Sequence, residues 1–112
     1  MASSDQLPAH EQETIATYFD GDAEFYRIFL ASALQQFPAD LREGDAAAQA
    51  GDVQALRRVA HTLKGVLLTL GHADLSTFAK TLEQAAQQSP WDEVVAGWRE
   101  LSARLIAAFG LV

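Results

Sequence analysis

Apolar residues recur along this chain at alternating steps of three and four, which is the pattern of amphipathic α-helices. The clearest example lies between Asp52 and Gly71. Its apolar stripe consists of Val53, Leu56, Ala60, Leu63, Leu67 and Leu70, and is widened by Val59 and Val66. Asp52 is a good N-cap because its carboxylate can accept a backbone N–H of the first turn. Gly71 is a good end because glycine adopts the left-handed conformation without steric cost. The stretch therefore predicts one helix.

Two helices are predicted before this stretch. A short one over residues 10–19 has Ile15, Tyr18 and Phe19 as candidates for burial. Asp22 is the predicted N-cap of a second helix. Its apolar face consists of Phe25, Phe29, Leu30, Leu34, Phe37 and Leu41. Pro38 lies inside that pattern, so this helix either ends before the proline or continues to Gly51 with a kink.

Two helices are predicted after it. The first covers residues 73–88 and has an apolar face of Leu75, Phe78, Ala79, Leu82 and Ala86. Ser89 and Pro90 then predict the N-cap and the first-turn proline of the last helix. Asp92 and Glu93 suit the positive end of its dipole. The stripe of this helix consists of Val94, Trp98, Leu101, Leu105 and Ala108, and it is expected to end near Gly110.

The predicted fold is all-α, because no stretch alternates between apolar and polar residues as a half-buried strand does. Four long amphipathic helices with short connections favour an antiparallel up-down four-helix bundle, with the short N-terminal helix capping it. Residues 1–9 are small and polar and contain Pro8, so we expect a flexible N-terminus. Residues 10–112 are expected to form a single domain.

Composition narrows the classes of function. The chain has 112 residues, no cysteine and a net charge of −7. The negative charge argues against nucleic-acid binding, and no apolar run is long enough to span a membrane. Residues 1–5 contain neither a basic region nor an apolar core, so they do not resemble a signal peptide. These features predict a cytoplasmic protein that is neither disulfide-bonded nor inserted in a membrane, and we expect a monomer.

The helix from Asp52 to Gly71 carries a histidine, His61, near its middle. At 3.6 residues per turn, His61 lies opposite the apolar stripe and is expected to face water. The residues that share its side of the helix include Arg57, Arg58, Lys64, Gly65 and Leu68. The cations can reach the ring from the preceding and the following turn, and Lys64 is expected to be exposed and free of the core. A neutral surface histidine beside cations clustered by chance is the alternative.

The motif around this histidine resembles that of a known family. Ala60-His61-Thr62-Leu63-Lys64-Gly65 followed by Leu70-Gly71 is similar to the signature of histidine-containing phosphotransfer (HPt) domains. The similarity extends to Gly21-Asp22 with Glu24, to Gly51-Asp52 and to Leu82-Glu83, over about residues 15–87. The resemblance also favours one long, kinked helix through Pro38.

The resemblance implies a role in a phosphorelay. In this family the histidine, here His61, accepts a phosphoryl group from the aspartyl phosphate of a receiver domain and passes it to another receiver's aspartate. The implied partners are response-regulator receiver domains and a hybrid sensor histidine kinase. The receiver supplies the magnesium, so this chain is expected to bind no metal or other cofactor. A polar residue on the following helix often bonds the imidazole, and Glu83 matches that position; a solvated surface carboxylate is the alternative.

Two residues on the His61 face suggest how a partner approaches. Gly65 has no side chain and faces away from the apolar stripe, so it would let a partner close over His61 rather than serve helix packing. Leu68 is expected to be exposed, as a docking contact or as a hindrance to some receivers. Val66 and Leu67 are expected to pack in the core. A competing hypothesis is a binding module that holds a partner through the Arg57–Leu68 face without chemistry.

The sequence gives only weak evidence for other kinds of chemical site. No glycine-rich nucleotide loop is present, so no autonomous kinase activity is expected. His10 and His72 lack partners at ligand spacing, and His72 is expected only to cap a helix end. The carboxylate pairs are more typical of helix caps and solvated charges than of acid–base catalysts: Asp20 with Asp22, Glu43 with Asp45, and Asp92 with Glu93.

Overall fold

A computed structural model describes residues 9–111 of the chain, apart from the side chain of His10. Within this range the protein is all-helical, with five α-helices and no strand. The helices are α1 (Ala9–Tyr18), α2 (Ala23–Ala50), α3 (Val53–Thr69), α4 (Ala73–Gln88) and α5 (Trp91–Phe109). The all-α prediction is confirmed for this part of the chain. Most of the segment predicted to be flexible, residues 1–8, lies outside the described residues.

Helix ends follow the local chemistry that predicted them. The Asp22 and Asp52 carboxylates each accept a backbone N–H at 3.0 Å in the first turn of α2 and α3. Gly51 and Gly110 adopt the left-handed conformation that ends α2 and α5. Gly71 also has a positive φ of 84° and donates to the Leu68 carbonyl, which closes α3. Because glycine meets no Cβ clash there, each chain reversal costs little strain.

The predictions for the two prolines, Pro38 and Pro90, had different outcomes. Pro38 lies within α2, so the single long helix is confirmed rather than the helix that ends before the proline. The predicted start of α5 is wrong by one residue. Pro90 itself occupies the N-cap position, with no side-chain cap, and Ser89 ends α4 by donating its N–H to the Ala85 carbonyl at 2.8 Å. Pro90 has ψ of 142°, outside the helical region, so α5 begins after it.

The core lies between the apolar stripes of the helices. Leu56, Leu63, Leu67, Leu101 and Leu105 are among its fully buried side chains. Three residues that the pattern assigned to apolar faces are exposed instead: Tyr18, Phe25 and Ala108. Val66 is only partly buried, although it packs against the core.

Tyr26 is buried where Phe25 was expected to be. Its hydroxyl donates to Glu11 Oε1 at 3.2 Å, which links α1 to α2. Burial, the Glu11 charge and this hydrogen bond together raise the pKa of Tyr26 to about 12, so the phenol stays protonated and keeps donating. The link requires the tyrosine to turn inward, and this leaves Phe25, its neighbour on the helix, at the surface.

The long helices pack in a closed order. The α3 helix packs against α2 and α4, α4 packs against α5, and α5 packs against α2. The α2–α5 contact depends on Gly44, because a Cβ at this position would overlap the indole of the buried Trp98. The Trp98 Nε1 donates to Asp45 Oδ1 at 2.8 Å, and the Trp91 Nε1 donates to the Ala48 carbonyl at 3.1 Å. The need for glycine at position 44 could not be predicted from the sequence, since it arises from the partner helix.

No helix within residues 9–111 is both long enough and apolar enough to cross a membrane.

Candidate functional site

His61 lies on the outer side of α3, at the middle of the helix. Its side chain is 65% exposed, whereas Val59 and Leu63 on the opposite side are buried. The predicted orientation is therefore confirmed: the ring faces solvent and stands on a helix that is anchored in the core. An exposed imidazole on a rigid support is accessible to a reacting group brought by another molecule.

Glu83 of α4 holds one side of the ring. Its Oε2 lies 3.0 Å from His61 Nδ1, and its Oε1 accepts a hydrogen bond from Lys64 Nζ at 3.1 Å. Because an ionised carboxylate can only accept, Nδ1 carries the proton in this pair. In the neutral ring this tautomer leaves the lone pair on Nε2, where it is available to a nucleophilic reaction.

The same carboxylate has a shifted acidity. Burial acts to raise the pKa of Glu83, but the hydrogen bonds from Lys64 and His61, together with their charges, outweigh it and hold that pKa below its usual range. The carboxylate therefore remains ionised at neutral pH. It can stabilise positive charge that develops on the imidazole.

The Glu83 bridge should also contribute to stability, because it connects α3 to α4. Glu83→Gln is expected to lower the free energy of unfolding near neutral pH by up to about 1 kcal/mol. A lowered folded-state pKa stabilises the fold above the unfolded pKa, and this contribution disappears as the pH falls through the folded value. The difference between wild type and Glu83→Gln in urea melts should therefore shrink in acid.

Glu100→Gln is the matched control for that prediction. Glu100 pairs with Arg104 at 2.9 Å within α5, and both side chains are about half exposed. Such pairs within one helix contribute only about 0.3–0.5 kcal/mol. Equal losses in the two variants would mean that the Glu83 bridge adds nothing to the packing of α3 on α4.

Lys64 is more buried than predicted. Its side chain is 29% exposed, and its ammonium is held by Glu83 rather than extended freely into solvent. Its backbone carbonyl also accepts from Ser76 Oγ of α4 at 2.8 Å. The expectation of a fully exposed lysine is therefore wrong, because the adjacent α4 supplies a carboxylate and covers the side chain. Lys64 nevertheless remains beside the ring, through the carboxylate that both groups share.

The two arginines are engaged elsewhere. Arg58 pairs with Glu43 of α2 at 3.6 Å, with both side chains largely exposed. Arg57 donates to Gln54 at 3.4 Å, and its Nε is buried without a hydrogen-bond partner among the described residues. The structure therefore places both cations on the helix turn before His61, as predicted. Their hydrogen bonds go to other side chains, so Lys64 is the cation that belongs to the bonded group at the ring.

The surface beyond His61 is open and partly apolar. A Cβ built on Gly65 meets no atom within 4 Å, and Leu68 is 44% exposed, as both predictions required. Leu68 lines a groove with Tyr18, which in turn lines a second groove with Phe25. The exposure of Leu68 was predicted, but the apolar pattern assigned the two aromatic residues to the core, since periodicity alone does not show where a neighbouring helix stops covering a face.

The remaining candidates have structural roles. The backbone N–H of His72 donates to the Leu67 carbonyl at 2.9 Å, which closes α3 as predicted, and its ring lies 4.8 Å from that of Phe109. Asp22 is a cap, Asp45 accepts from Trp98, and Glu43 pairs with Arg58. Among residues 9–111 no group of three or more His, Cys, Asp or Glu side chains is arranged to hold a metal ion.

Comparison with known proteins identifies the family. A family model described as the Hpt domain matches residues 28–108, which is more than half of the chain and includes all of α3 and α4. No curated protein and no solved structure gave a match in the corresponding comparisons. The matched segment contains the exposed His61 and the Glu83 and Lys64 groups bonded beside it. The chain therefore belongs to the family of Hpt domains, the histidine phosphotransfer domains that interact with receiver domains in two-component systems.

Proposed function

We propose that this protein is a phosphorelay intermediate in which His61 is the phosphoacceptor. It accepts a phosphoryl group from the aspartyl phosphate of a receiver domain and passes the group to the aspartate of another receiver. The observation that carries this proposal is the exposed imidazole whose Nδ1 is held by Glu83. A hybrid sensor histidine kinase would carry the first receiver, and the chain would act as a monomer.

The proposed reaction uses the tautomer that Glu83 holds. The Nε2 lone pair attacks phosphorus, a P–N bond forms, and the P–O bond of the acyl phosphate breaks to release the receiver's aspartate as a carboxylate. The Nδ1 proton stays on the ring, which becomes cationic, and the ionised Glu83 stabilises that charge. In the second transfer a carboxylate oxygen of the next receiver's aspartate attacks phosphorus, the P–N bond breaks, and the ring leaves as neutral imidazole with its Nδ1 proton still hydrogen-bonded to Glu83.

The other groups of the site assist without reacting. Lys64 lies within one turn of His61, so its ammonium is available to the anionic phosphoryl group when the Glu83 contact rearranges. Arg57 and Arg58 add positive potential to the preceding turn. In this proposal the magnesium ion belongs to the receiver, and this chain supplies no metal ligand.

We also infer that the helices form a single domain, an antiparallel four-helix bundle of α2 to α5. The closed order of packing and the short connections between consecutive helices support this arrangement. The α1 helix then caps the bundle through the Tyr26–Glu11 link. In this arrangement the proposed docking surface, which includes His61, Gly65 and Leu68, lies on one side of α3.

The test is transfer from a phosphorylated receiver domain. The purified chain is incubated with receivers that carry radioactive phosphate, and the expected product is acid-labile, alkali-stable label on this chain. Adding a second, unphosphorylated receiver should then remove the label. If receivers bind but none transfers label, the chain is instead a binding module that uses the Arg57–Leu68 face without chemistry.

Gly65→Gln tests whether the receiver closes over the open part of α3. A Cβ at this position meets no neighbour within 4 Å, and replacing a helix glycine usually gains up to about 1 kcal/mol. The melting temperature should therefore stay equal or rise. Transfer should fall strongly, because the side chain occupies the approach to His61. Transfer at the wild-type rate would show that the partner uses another face.

Leu68→Ala is the matched comparison. It removes an exposed apolar contact instead of adding bulk, so stability should change little and receiver affinity should fall. The defect should appear as a higher KM, with a nearly unchanged rate at saturating receiver. An unchanged KM would exclude Leu68 from the docking surface.

A further inference from the structure

A groove between α2 and α3 opens next to the reactive histidine. Its wall on α3 is formed by Thr62, which directly follows His61, and by Val66, which directly follows Gly65. Its walls on α2 include Phe29 and Phe37, and the volume of the groove is about 170 Å³. The groove is therefore continuous with the face on which the proposed receiver must dock.

Asp40 of α2 lines this groove, and the proposed transfer reaction does not use it. The residue is only 8% exposed. Its one hydrogen bond among the described residues comes from Gln36 Nε2 at 3.3 Å, which is long for such a bond. Among the described residues that line the groove, Asp40 is the only ionisable one. Asp40 is thus a mostly buried residue whose carboxylate accepts one long hydrogen bond.

A carboxylate in this state opposes folding. Desolvation raises the pKa of Asp40, the Gln36 hydrogen bond lowers it in part, and the charge of Glu43 on the same helix raises it further. Glu43 is itself paired with Arg58 of α3. A buried charge with too few partners is destabilising. A mostly buried carboxylate that lines an open groove and accepts one long hydrogen bond is therefore well suited to a partner that supplies positive charge.

We propose that this groove receives a long basic side chain, lysine or arginine, from the receiver domain docked at His61, and that the side chain pairs with Asp40. The apolar walls suit the methylene stem of such a side chain, and the carboxylate suits its charged end. The inference rests on the proposed function and adds to it a residue that selects among receivers. Asp40 acts on docking and does not touch the reacting atoms.

The choice of occupant follows from charge complementarity. An apolar side chain in the groove would exclude solvent from the Asp40 carboxylate without giving it a new partner. An acidic side chain would be repelled by the carboxylate. A water molecule would satisfy the carboxylate equally in the free chain and in the complex, so it would give no selectivity. Only a cation gains free energy at this position on docking.

Asp40→Asn separates a docking role from a structural one, because the two roles predict different signs. The substitution keeps the shape and removes the buried charge, so the melting temperature should rise or stay equal. The KM for a receiver that phosphorylates the wild-type chain should rise by roughly tenfold or more, since truncating one partner of a buried charge pair has effects of this size. Chemical phosphorylation of His61 by phosphoramidate, which needs no receiver, should be unchanged.

Glu43→Gln is the matched control. It removes the same charge from the same helix, one turn further along, at an exposed position. Its KM should change far less than that of Asp40→Asn. Equal effects in the two variants would mean that general electrostatics governs docking, and would overturn the proposal.

Substitutions on the receiver complete the test. When the lysines and arginines of its docking surface are replaced one at a time by methionine, one replacement should remove the difference in KM between wild type and Asp40→Asn. The proposal is overturned if no replacement does so, or if Asp40→Asn leaves KM unchanged while transfer proceeds normally. In those cases the proposed function stands. A wild-type chain that accepts phosphate from no receiver overturns both.

Discussion

Replacing His61 with glutamine should abolish phosphoryl transfer to this chain and leave the fold intact. Glutamine has no nucleophilic nitrogen, because its amide lone pair is delocalised, whereas the imidazole Nε2 lone pair is available when Nδ1 is protonated. The side chain is exposed, so its loss removes little buried surface. The melting temperature should therefore stay near that of the wild type. The measurement is acid-labile label on the chain after incubation with a phosphorylated receiver.

The other two histidines of the sequence are the controls for this prediction. His10→Gln and His72→Gln should both accept label. The His72 ring contacts Phe109, so its variant is expected to be somewhat less stable but still active. If His61→Gln retained the label, the phosphoacceptor would lie elsewhere in the chain. Loss of label in the His72 variant, with its fold intact, would contradict the structural role assigned to that residue.

Gly44→Ala should produce the largest loss of stability from a small change. Alanine favours helix over glycine by about 1 kcal/mol, but its Cβ would overlap the Trp98 indole. The indole has little freedom to move, because it is buried and its Nε1 is bonded to Asp45. Overpacking of this kind costs about 1–3 kcal/mol, and more when the displaced group is anchored. We therefore expect a net loss of about 2 kcal/mol in urea melts.

Gly65→Ala makes the same chemical change in a different environment. The new Cβ meets nothing within 4 Å, so only the gain in helix propensity remains. The expected change is an increase of up to about 1 kcal/mol in the free energy of unfolding. The opposite signs of the two variants test the close α2–α5 approach directly. A stabilising Gly44→Ala would mean that Trp98 can move away at little cost.

Helix positions could be predicted from the sequence because local chemistry sets them. Asp22 and Asp52 cap with their own side chains, and Gly71 and Gly110 reverse the chain with their own backbone. These effects operate within a few residues and need no tertiary partner. The outward orientation of His61 also follows from periodicity, because the position of a residue around a helix depends only on its spacing from the buried stripe.

Most predictions from the sequence that were wrong concern residues whose burial or bonding is determined by another helix. Tyr18 and Phe25 look like core residues, yet both are exposed, while Tyr26 is buried and its hydroxyl donates a hydrogen bond to Glu11. Lys64 looks like a free surface cation, but α4 supplies the carboxylate that holds it. Ser89 looks like a cap, and Pro90 takes that position instead. The outcomes for the tyrosines, Phe25 and Lys64 depend on contacts between segments that the apolar pattern treats separately, whereas the Pro90 cap follows from the extended ψ of that residue.

The helical class, the ends of most helices, the family motif and the solvent-facing histidine could all be predicted from the amino-acid sequence. These properties arise from local backbone preferences and from spacing along one helix. Two features could be seen only in the tertiary structure. Glu83 bonds the His61 ring from a separate helix. Position 44 must have no side chain, because it lies against Trp98. The tertiary structure also placed Asp40 among the residues that line a groove with Thr62 and Val66 of α3. These features depend on distances between helices, and such distances are set only when the core packs.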